Sequence, residues 1–169
     1  MRYTDGFTGK AILALKEAIC AAEELGHTYI GSEHLLLGLL EEGSNAAAAM
    51  LAAQHITAQR VRNALVELVG RGIPAQVQED CLTPALSEIM QQAKAFSKED
   101  GRSLAGTEHL LRSILRTPCC TAVAILKKLG VSLNQSAGNL LSYPYGGTAN
   151  RANFKENTAE SLSVWEVDD

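Results

Sequence analysis

The sequence contains an internal repeat, and this repeat limits the possible fold more than any other feature. The stretch "GSEHLL" at 31–36 returns as "GTEHLL" at 106–111, which is 75 positions later. At that offset residues 7–66 align without a gap with residues 82–141, and 14 of the 60 pairs are identical. Shared composition does not readily produce an ungapped match of this length, so the pattern indicates a tandem duplication.

The first copy predicts four helices and no convincing strand. Aromatic residues make up only 5% of the chain, and its abundant alanine, leucine and glutamate favour helix. Thr8 is a predicted N-cap for a helix that runs to about Leu25, and Gly26 suits the end of that helix. Ser32 is the predicted N-cap of "EHLLLGLLEE". After a Gly-Ser break comes "NAAAAMLAAQ", and Thr57 then caps "AQRVRNALVELVG".

The second copy repeats this plan. Thr83 precedes a proline at the first helical position, and Thr107 takes the place of Ser32. Ser132 and Gln135 form a capping box that predicts the last helix. A four-helix unit of this size is too small to bury its leucines alone. We therefore predict an all-α fold in which two tandem four-helix repeats pack as one pseudo-twofold globular domain.

The predicted boundaries follow from the repeat. Residues 1–70 form the first repeat, 71–82 a linker and 83–142 the second repeat. The turn formers and mixed charge of residues 143–169 predict a flexible linker or tail.

Composition narrows the function classes. A net charge of −4 argues against a nucleic-acid partner. The chain shows no apolar run of the roughly 20 residues that span a membrane, and its first residues lack the apolar core of a signal peptide. The four cysteines have neither zinc-site spacing nor the density of a disulfide scaffold. We expect reduced thiols, three of them buried, in a cytoplasmic protein, and a structural disulfide is the alternative.

The doublets Glu33-His34 and Glu108-His109 are candidates for catalysis or metal binding. A zincin helix needs two histidines four residues apart, and this order does not supply them. "GFTGKA" lacks both the spacing and the Ser or Thr of a phosphate loop. We therefore expect no enzyme activity, no cofactor and no metal, with His34 and His109 hydrogen-bonded to a neighbouring loop. A metal site with one histidine from each repeat, or a small thiol enzyme, remains the alternative.

Four polar residues recur at the helix starts: Thr8, Glu33, Thr83 and Glu108. A helix N-terminus attracts anions, and a fixed carboxylate accepts a bidentate hydrogen bond from a guanidinium. Together these groups suit a ligand that carries both a phosphate and a guanidinium. The competing interpretation is that the threonines are ordinary caps and the glutamates only complement the helix dipole.

Two copies of a motif like "FTGKAILALKEAICAAEELGHTYIGSEHLLLGLLEEG" resemble the double Clp N-terminal (Clp repeat) domain of Clp-family AAA+ unfoldases, over about residues 7–142. The resemblance implies a non-catalytic domain that docks substrate or adaptor proteins and passes them to a Clp ATPase ring for ATP-dependent proteolysis. It also implies, as in some Gram-positive members, a phosphoarginine site in each repeat. Glu33 and Glu108 would bind the guanidinium, and Thr8 and Thr83 would hold the phosphoryl group.

Geometry adds a hypothesis about these sites. The first helix of a repeat is about 26 Å long, so antiparallel first and second helices would begin at opposite ends. Thr8 would then pair with Glu108 of the other repeat, and Thr83 with Glu33. The second copy departs further from the family pattern, which makes its site the weaker prediction. Arg112 stands four residues after Glu108, at a spacing that allows the two to pair.

Two functions remain open. The chain is either the substrate- and adaptor-docking part of a Clp ATPase subunit, or a free-standing regulator that binds the Clp machine without an ATPase of its own. A Walker motif after Asp169 in the gene would decide for the first.

Overall fold

The computed structural model describes residues 4–131, which fold into seven α-helices. Their bounds are α1 Gly9–Leu25, α2 Ser32–Glu42, α3 Ala46–Ala53, α4 Ala58–Val69, α5 Pro84–Glu99, α6 Thr107–Leu115 and α7 Thr121–Lys128. Helices α5, α6 and α7 begin 75 positions after α1, α2 and α3, which confirms the duplication. The helix predicted after Ser132 and the tail at 143–169 lie outside the described residues.

The predicted threonine caps are confirmed. The side-chain oxygen of Thr8 accepts from the Ala11 N–H at 3.2 Å, and that of Thr83 accepts from the Leu86 N–H at 3.1 Å. Thr57 caps α4 in the same way. These bonds satisfy amide groups that have no partner inside the helix.

Helix α2 is the centre of the domain. It contacts each of the other six described helices, which explains why leucines surround it instead of forming one stripe. Leu35, Leu36, Leu37 and Leu39 are all 0% exposed. Gly38 lets α2 approach α1 closely, since a Cβ at this position would lie 2.3 Å from the Ala14 carbonyl oxygen.

Two short backbone contacts join the repeats in a symmetric manner. Phe7 forms an isolated bridge with Ala105, and Leu82 forms the equivalent bridge with Ile30. Within residues 4–131 these two isolated bridges are the β-type backbone pairings, and every named element is a helix. The described structure is therefore all-α, as predicted.

The predicted N-cap roles of Ser32 and Thr107 are wrong. Gly31 and Gly106 occupy the cap positions, while Ser32 and Thr107 are the first helical residues. The two hydroxyls accept backbone N–H groups of the opposite repeat instead. The partner of Ser32 is Ala122 N–H at 3.1 Å, and that of Thr107 is Ala47 N–H at 3.3 Å. Because the two repeats pack closely, each hydroxyl bonds to a helix of the other repeat, far away in the sequence, and not to its own helix.

The prediction that three cysteines are buried is also wrong. Only Cys120 is buried, whereas Cys20, Cys81 and Cys119 are exposed and all four thiols are free. Cys20 lies on the outer face of α1, Cys81 in the linker and Cys119 in the turn before α7. These three thiols face solvent because their positions lie on a helix surface or in connecting segments, away from the hydrophobic core.

Among residues 4–131 no single helix is long and apolar enough to cross a membrane. Helices α2 and α3 together satisfy the length and composition criteria, but the chain bends by 95° between them.

Candidate ligand sites at the junctions between the repeats

The N-terminus of α1 meets the N-terminus of α6 from the other repeat. Thr8 N–H donates to the Ala105 carbonyl at 2.9 Å, and Ala105 N–H donates to the Gly6 carbonyl at 2.8 Å. Glu108 follows three residues after Ala105, in the first turn of α6. We call this place the Thr8–Glu108 junction.

The equivalent junction brings α5 to the start of α2. Thr83 N–H donates to the Ile30 carbonyl at 2.9 Å, and Ile30 N–H donates to the Cys81 carbonyl at 2.8 Å. Glu33 lies in the first turn of α2, three residues after Ile30. This is the Thr83–Glu33 junction. Each predicted threonine therefore lies beside the helix start that carries the glutamate of the opposite repeat.

At the Thr83–Glu33 junction the carboxylate of Glu33 is enclosed. Glu33 is 4% exposed, and its Oε2 accepts a hydrogen bond from the Tyr29 hydroxyl at 2.9 Å. A Cβ on Gly31 would lie 2.6 Å from Oε1, so the carboxylate folds back over the Gly31 backbone. Burial raises the pKa of Tyr29, and the charge of Glu33 raises it further. Tyr29 is thus kept protonated and able to donate.

Two hydrogen-bonded histidines, His34 and His27, link this junction to the end of α4. Gly31 N–H donates to His34 Nδ1 at 2.9 Å, so this nitrogen is an acceptor. His34 Nε2 then donates to His27 Nδ1 at 2.7 Å, and His27 Nε2 donates to the Gly70 carbonyl at 2.8 Å. This direction requires both rings to be neutral. Burial, assisted by His27, lowers the pKa of His34 to about 3.

The Thr8–Glu108 junction borders a cavity on the Thr8 side. This cavity of about 330 Å³ is lined by Thr8 and the loop before α6, namely Gly101, Arg102, Ser103 and Leu104. Glu108 as a residue is partly exposed and Glu33 is buried, but the Oε1 atom of Glu108 is buried too. Arg102 and Leu104 stand at the positions that His27 and Tyr29 occupy in the first repeat. This junction therefore has a lining cation and no phenol at the equivalent position.

His109 is anchored differently from His34. Its Nδ1 accepts from Gly106 N–H at 3.0 Å, and its Nε2 lies 2.8 Å from Asp100 Oδ2. Burial lowers the pKa of His109, although Asp100 opposes this shift. The prediction that His34 and His109 hydrogen-bond to a neighbouring loop is confirmed, since the loop before each helix supplies Gly31 and His27 to His34 and Gly106 to His109.

Arg112, whose spacing allows it to pair with Glu108, lies beside Asp100 and Phe96. Arg112 Nη1 lies 3.6 Å from Asp100 Oδ2, and its guanidinium lies 4.4 Å from the centre of the Phe96 ring. Asp100 is the C-cap residue of α5, which packs beside α6, and Phe96 lies on the same helix. The Asp100 carboxylate and the face of the Phe96 ring both attract the Arg112 guanidinium. Arg112 therefore turns towards α5.

Tyr29, Arg102 and Leu104 also border the two candidate sites, and the sequence did not predict them there. The repeat alignment contains a signal for them, because it pairs Tyr29 with Leu104 and His27 with Arg102. That signal becomes interpretable only once the loop is known to border the glutamates. Within the described part of the chain, no three His, Cys, Asp or Glu side chains cluster as a metal site would require.

Comparison with known proteins agrees with this architecture. The sequence model of the Clp repeat (R) N-terminal domain matches residues 6–129 and 81–143. The chain therefore belongs to the Clp repeat N-terminal domain family.

Two relatives place the chain among Clp proteins. It is 33% identical over 161 residues to the negative regulator of genetic competence ClpC/MecB of Bacillus subtilis, covering 93% of this chain and 19% of that protein. It is 34% identical over 137 residues to the chaperone protein ClpB of Oceanobacillus iheyensis, covering 80% of this chain and 17% of the relative. The chain thus spans about a fifth of the length of these relatives.

Solved structures show the same fold. The N-terminal domain of ClpD from Arabidopsis thaliana matches with a TM-score of 0.69 and 22% identity, covering 82% of this chain and 94% of the other. The complex of the ClpV N-domain with a VipB peptide matches with a TM-score of 0.61 and 16% identity, covering 81% and 86%.

Proposed function

We propose that this chain is a non-catalytic recognition module that docks substrate or adaptor proteins for a Clp-type ATPase. Membership of the Clp repeat N-terminal domain family is the observation that carries this proposal. Relatives are named as ATP-binding subunits of an ATP-dependent Clp protease, and the ClpV N-domain of the same fold forms a complex with a peptide. The module acts in the cytoplasm as part of, or together with, a Clp ATPase ring.

The proposed ligand group on a docked protein is phosphoarginine. Its guanidinium needs a carboxylate that can accept two parallel N–H bonds, and its phosphoryl group suits the free N–H groups of a helix start. Each junction supplies one of each. Thr8 and Glu108 lie on adjoining helix starts of different repeats, as do Thr83 and Glu33.

Calorimetry with free phosphoarginine tests this ligand. We expect binding to the wild type, with arginine and inorganic phosphate each binding more weakly because each lacks one half of the ligand. The double variant Glu33→Ala/Glu108→Ala should lose binding. Glu17→Ala is the matched control, since it removes an exposed glutamate on α1 and should leave binding unchanged. No binding by the wild type at millimolar phosphoarginine would exclude this ligand.

A second measurement separates the ligand from the docking function. An unstructured model protein phosphorylated on arginine, and the same protein without phosphate, are compared for binding to this chain. Preference for the phosphorylated form supports phosphoarginine docking. Equal binding of both forms supports general protein docking without the phosphoarginine site, and binding of neither contradicts both.

A further inference from the structure

We propose that the linker between α4 and α5, together with the ends of α1 and α4, is a docking surface for an extended protein segment in which apolar and basic residues alternate. This inference rests on the proposed docking function and names the kind of segment that docks. It does not depend on phosphoarginine as a ligand.

The first step concerns how the linker is held. Gly72 N–H donates to the Leu25 carbonyl at 2.8 Å, and Val77 N–H donates to Glu23 Oε2 at 2.9 Å. Val77 is buried, whereas residues 71–76 are all exposed. The linker is therefore fixed to the end of α1 at two points, and the stretch between these points lies on the surface.

The second step concerns apolar side chains at this place. Leu68 is 48% exposed, Val69 is 41% exposed and Ile73 is 87% exposed. They are three of the five large hydrophobic residues that are exposed within residues 4–131, and they fall within six positions where α4 runs into the linker. Exposed apolar residues that cluster in this way are typical of protein-binding surfaces.

The third step concerns charge. A cavity of about 510 Å³ is lined by Glu23 and by residues 76–80, which include Glu79 and Asp80. In the described part of the chain neither Glu79 nor Asp80 forms an ion pair. Arg71 is the one basic residue of the linker, and it does not line the cavity. Three carboxylates beside exposed apolar residues complement a segment that carries lysine or arginine next to apolar residues.

The fourth step concerns the backbone. Among the described residues, the main-chain groups of 73–76 form no hydrogen bond with the rest of the domain. An extended segment can pair with such groups, as in strand addition, although Pro74 supplies no donor. Side chains of an extended segment alternate between two faces, so alternating apolar and basic residues suit this surface. We call Leu68, Val69, Ile73 and the cavity lining the linker surface.

Fluorescence anisotropy with a short labelled peptide of alternating valine and lysine tests the linker surface. The wild type should bind this peptide, and added salt should weaken binding because the charges on both sides are exposed. A serine–lysine peptide and a valine–glutamate peptide should each bind about tenfold more weakly, since each lacks one half of the pattern. Equal binding of all three peptides would overturn the inference.

Variants of the linker surface locate the binding. Ile73→Ser should weaken binding of the valine–lysine peptide by about tenfold. The double variant Glu79→Gln/Asp80→Asn should weaken it by about threefold. The matched controls on α1 are Leu13→Ser, at a leucine that is 49% exposed, and Glu17→Gln, at an exposed glutamate. Linker variants that bind the peptide as tightly as these controls would overturn the inference.

A thiol in the linker tests the location in the wild type. Cys81 is exposed and follows Asp80 directly. A saturating concentration of the valine–lysine peptide should slow the alkylation of Cys81 by iodoacetamide, measured by mass spectrometry. The serine–lysine peptide at the same concentration is the control and should slow it less. An unchanged rate at Cys81 with the valine–lysine peptide bound would overturn the inference even if a variant failed to fold.

Further outcomes separate this surface from the docking function itself. If the wild type binds neither the unstructured model protein nor the valine–lysine peptide, both proposals are wrong. If it binds the model protein and Ile73→Ser binds that protein equally well, docking stands and the linker surface is rejected. A wild-type dimer that Ile73→Ser converts to a monomer would assign the surface to a second copy of the chain and would likewise overturn the inference.

Discussion

Ser32 at the start of α2 caps α7 of the opposite repeat, because its hydroxyl oxygen accepts the N–H of Ala122 at 3.1 Å. Thr107 does the same for α3 through Ala47 N–H at 3.3 Å. The side chains and amides involved are buried. Each repeat thus caps a helix of the other. Neither repeat alone can satisfy these buried amide groups, so the two repeats stabilise each other when they fold together.

We expect Ser32→Ala and Thr107→Ala each to lower the free energy of unfolding by about 1–2 kcal/mol, since each leaves a buried amide without its acceptor. Urea unfolding followed by circular dichroism measures this change. Thr28→Ala is the control, because Thr28 is exposed and its loss should change stability by less than about 0.5 kcal/mol. Equal stability of all three variants would show that the cross-repeat caps contribute nothing.

Gly38→Ala should destabilise the domain strongly. The added Cβ would lie 2.3 Å from the Ala14 carbonyl oxygen and 2.8 Å from the Ala18 amide nitrogen, so α1 and α2 would have to separate. Overpacking of this kind costs about 1–3 kcal/mol or more. The matched control is Gly9→Ala on α1, where a Cβ would meet nothing within 4 Å. Similar melting temperatures for the two variants would contradict the close packing at Gly38.

Acid should destabilise the protein through His34. Its pKa is lowered to about 3 in the folded state, whereas an unfolded histidine titrates near 6.5. The unfolded chain therefore binds the proton more tightly. The contribution of neutral His34 is present in full above about pH 6.5 and is lost as the pH falls towards 3. This one group should produce a slope of up to about 1.4 kcal/mol per pH unit in the free energy of unfolding.

Urea unfolding between pH 4.5 and 7.5 measures this slope for the wild type, His34→Gln and His55→Asn. His34→Gln should be less stable at pH 7.5 and should show a shallower slope. His55 is exposed, and asparagine suits its positive φ of 64°, so this control should keep the wild-type slope. An unchanged slope in His34→Gln would assign the acid sensitivity to other groups.

The positions of the helices could be predicted because their signals are local. Thr8, Thr83 and Thr57 act within three residues of themselves, so a cap followed by an apolar pattern is sufficient to find them. The roles of Ser32 and Thr107 could not be predicted in this way. Their partners lie 90 and 60 positions away, and a local preference for serine or threonine at a cap does not distinguish the two cases.

The candidate site also has some features that the sequence predicts and others that only the structure shows. The repeat and helix geometry were sufficient to expect Thr8 beside the second repeat and Thr83 beside the first. The enclosure of Glu33 was not predictable, since it depends on how its side chain folds over Gly31 and meets Tyr29. Leu104 marks the difference between the repeats in the sequence, but only the structure shows that this position borders a cavity.

Thiol labelling should distinguish the four cysteines. In the native protein Ellman's reagent should react with Cys20, Cys81 and Cys119, and with buried Cys120 only after unfolding. Burial raises the pKa of Cys20, as do Glu17, Glu23 and Glu24, so Cys20 should have less reactive thiolate near neutral pH. Cys20→Ser should therefore remove a slow phase from the native reaction, whereas Cys119→Ser should remove a faster one. Four thiols reacting at one rate in the native protein would contradict the burial of Cys120.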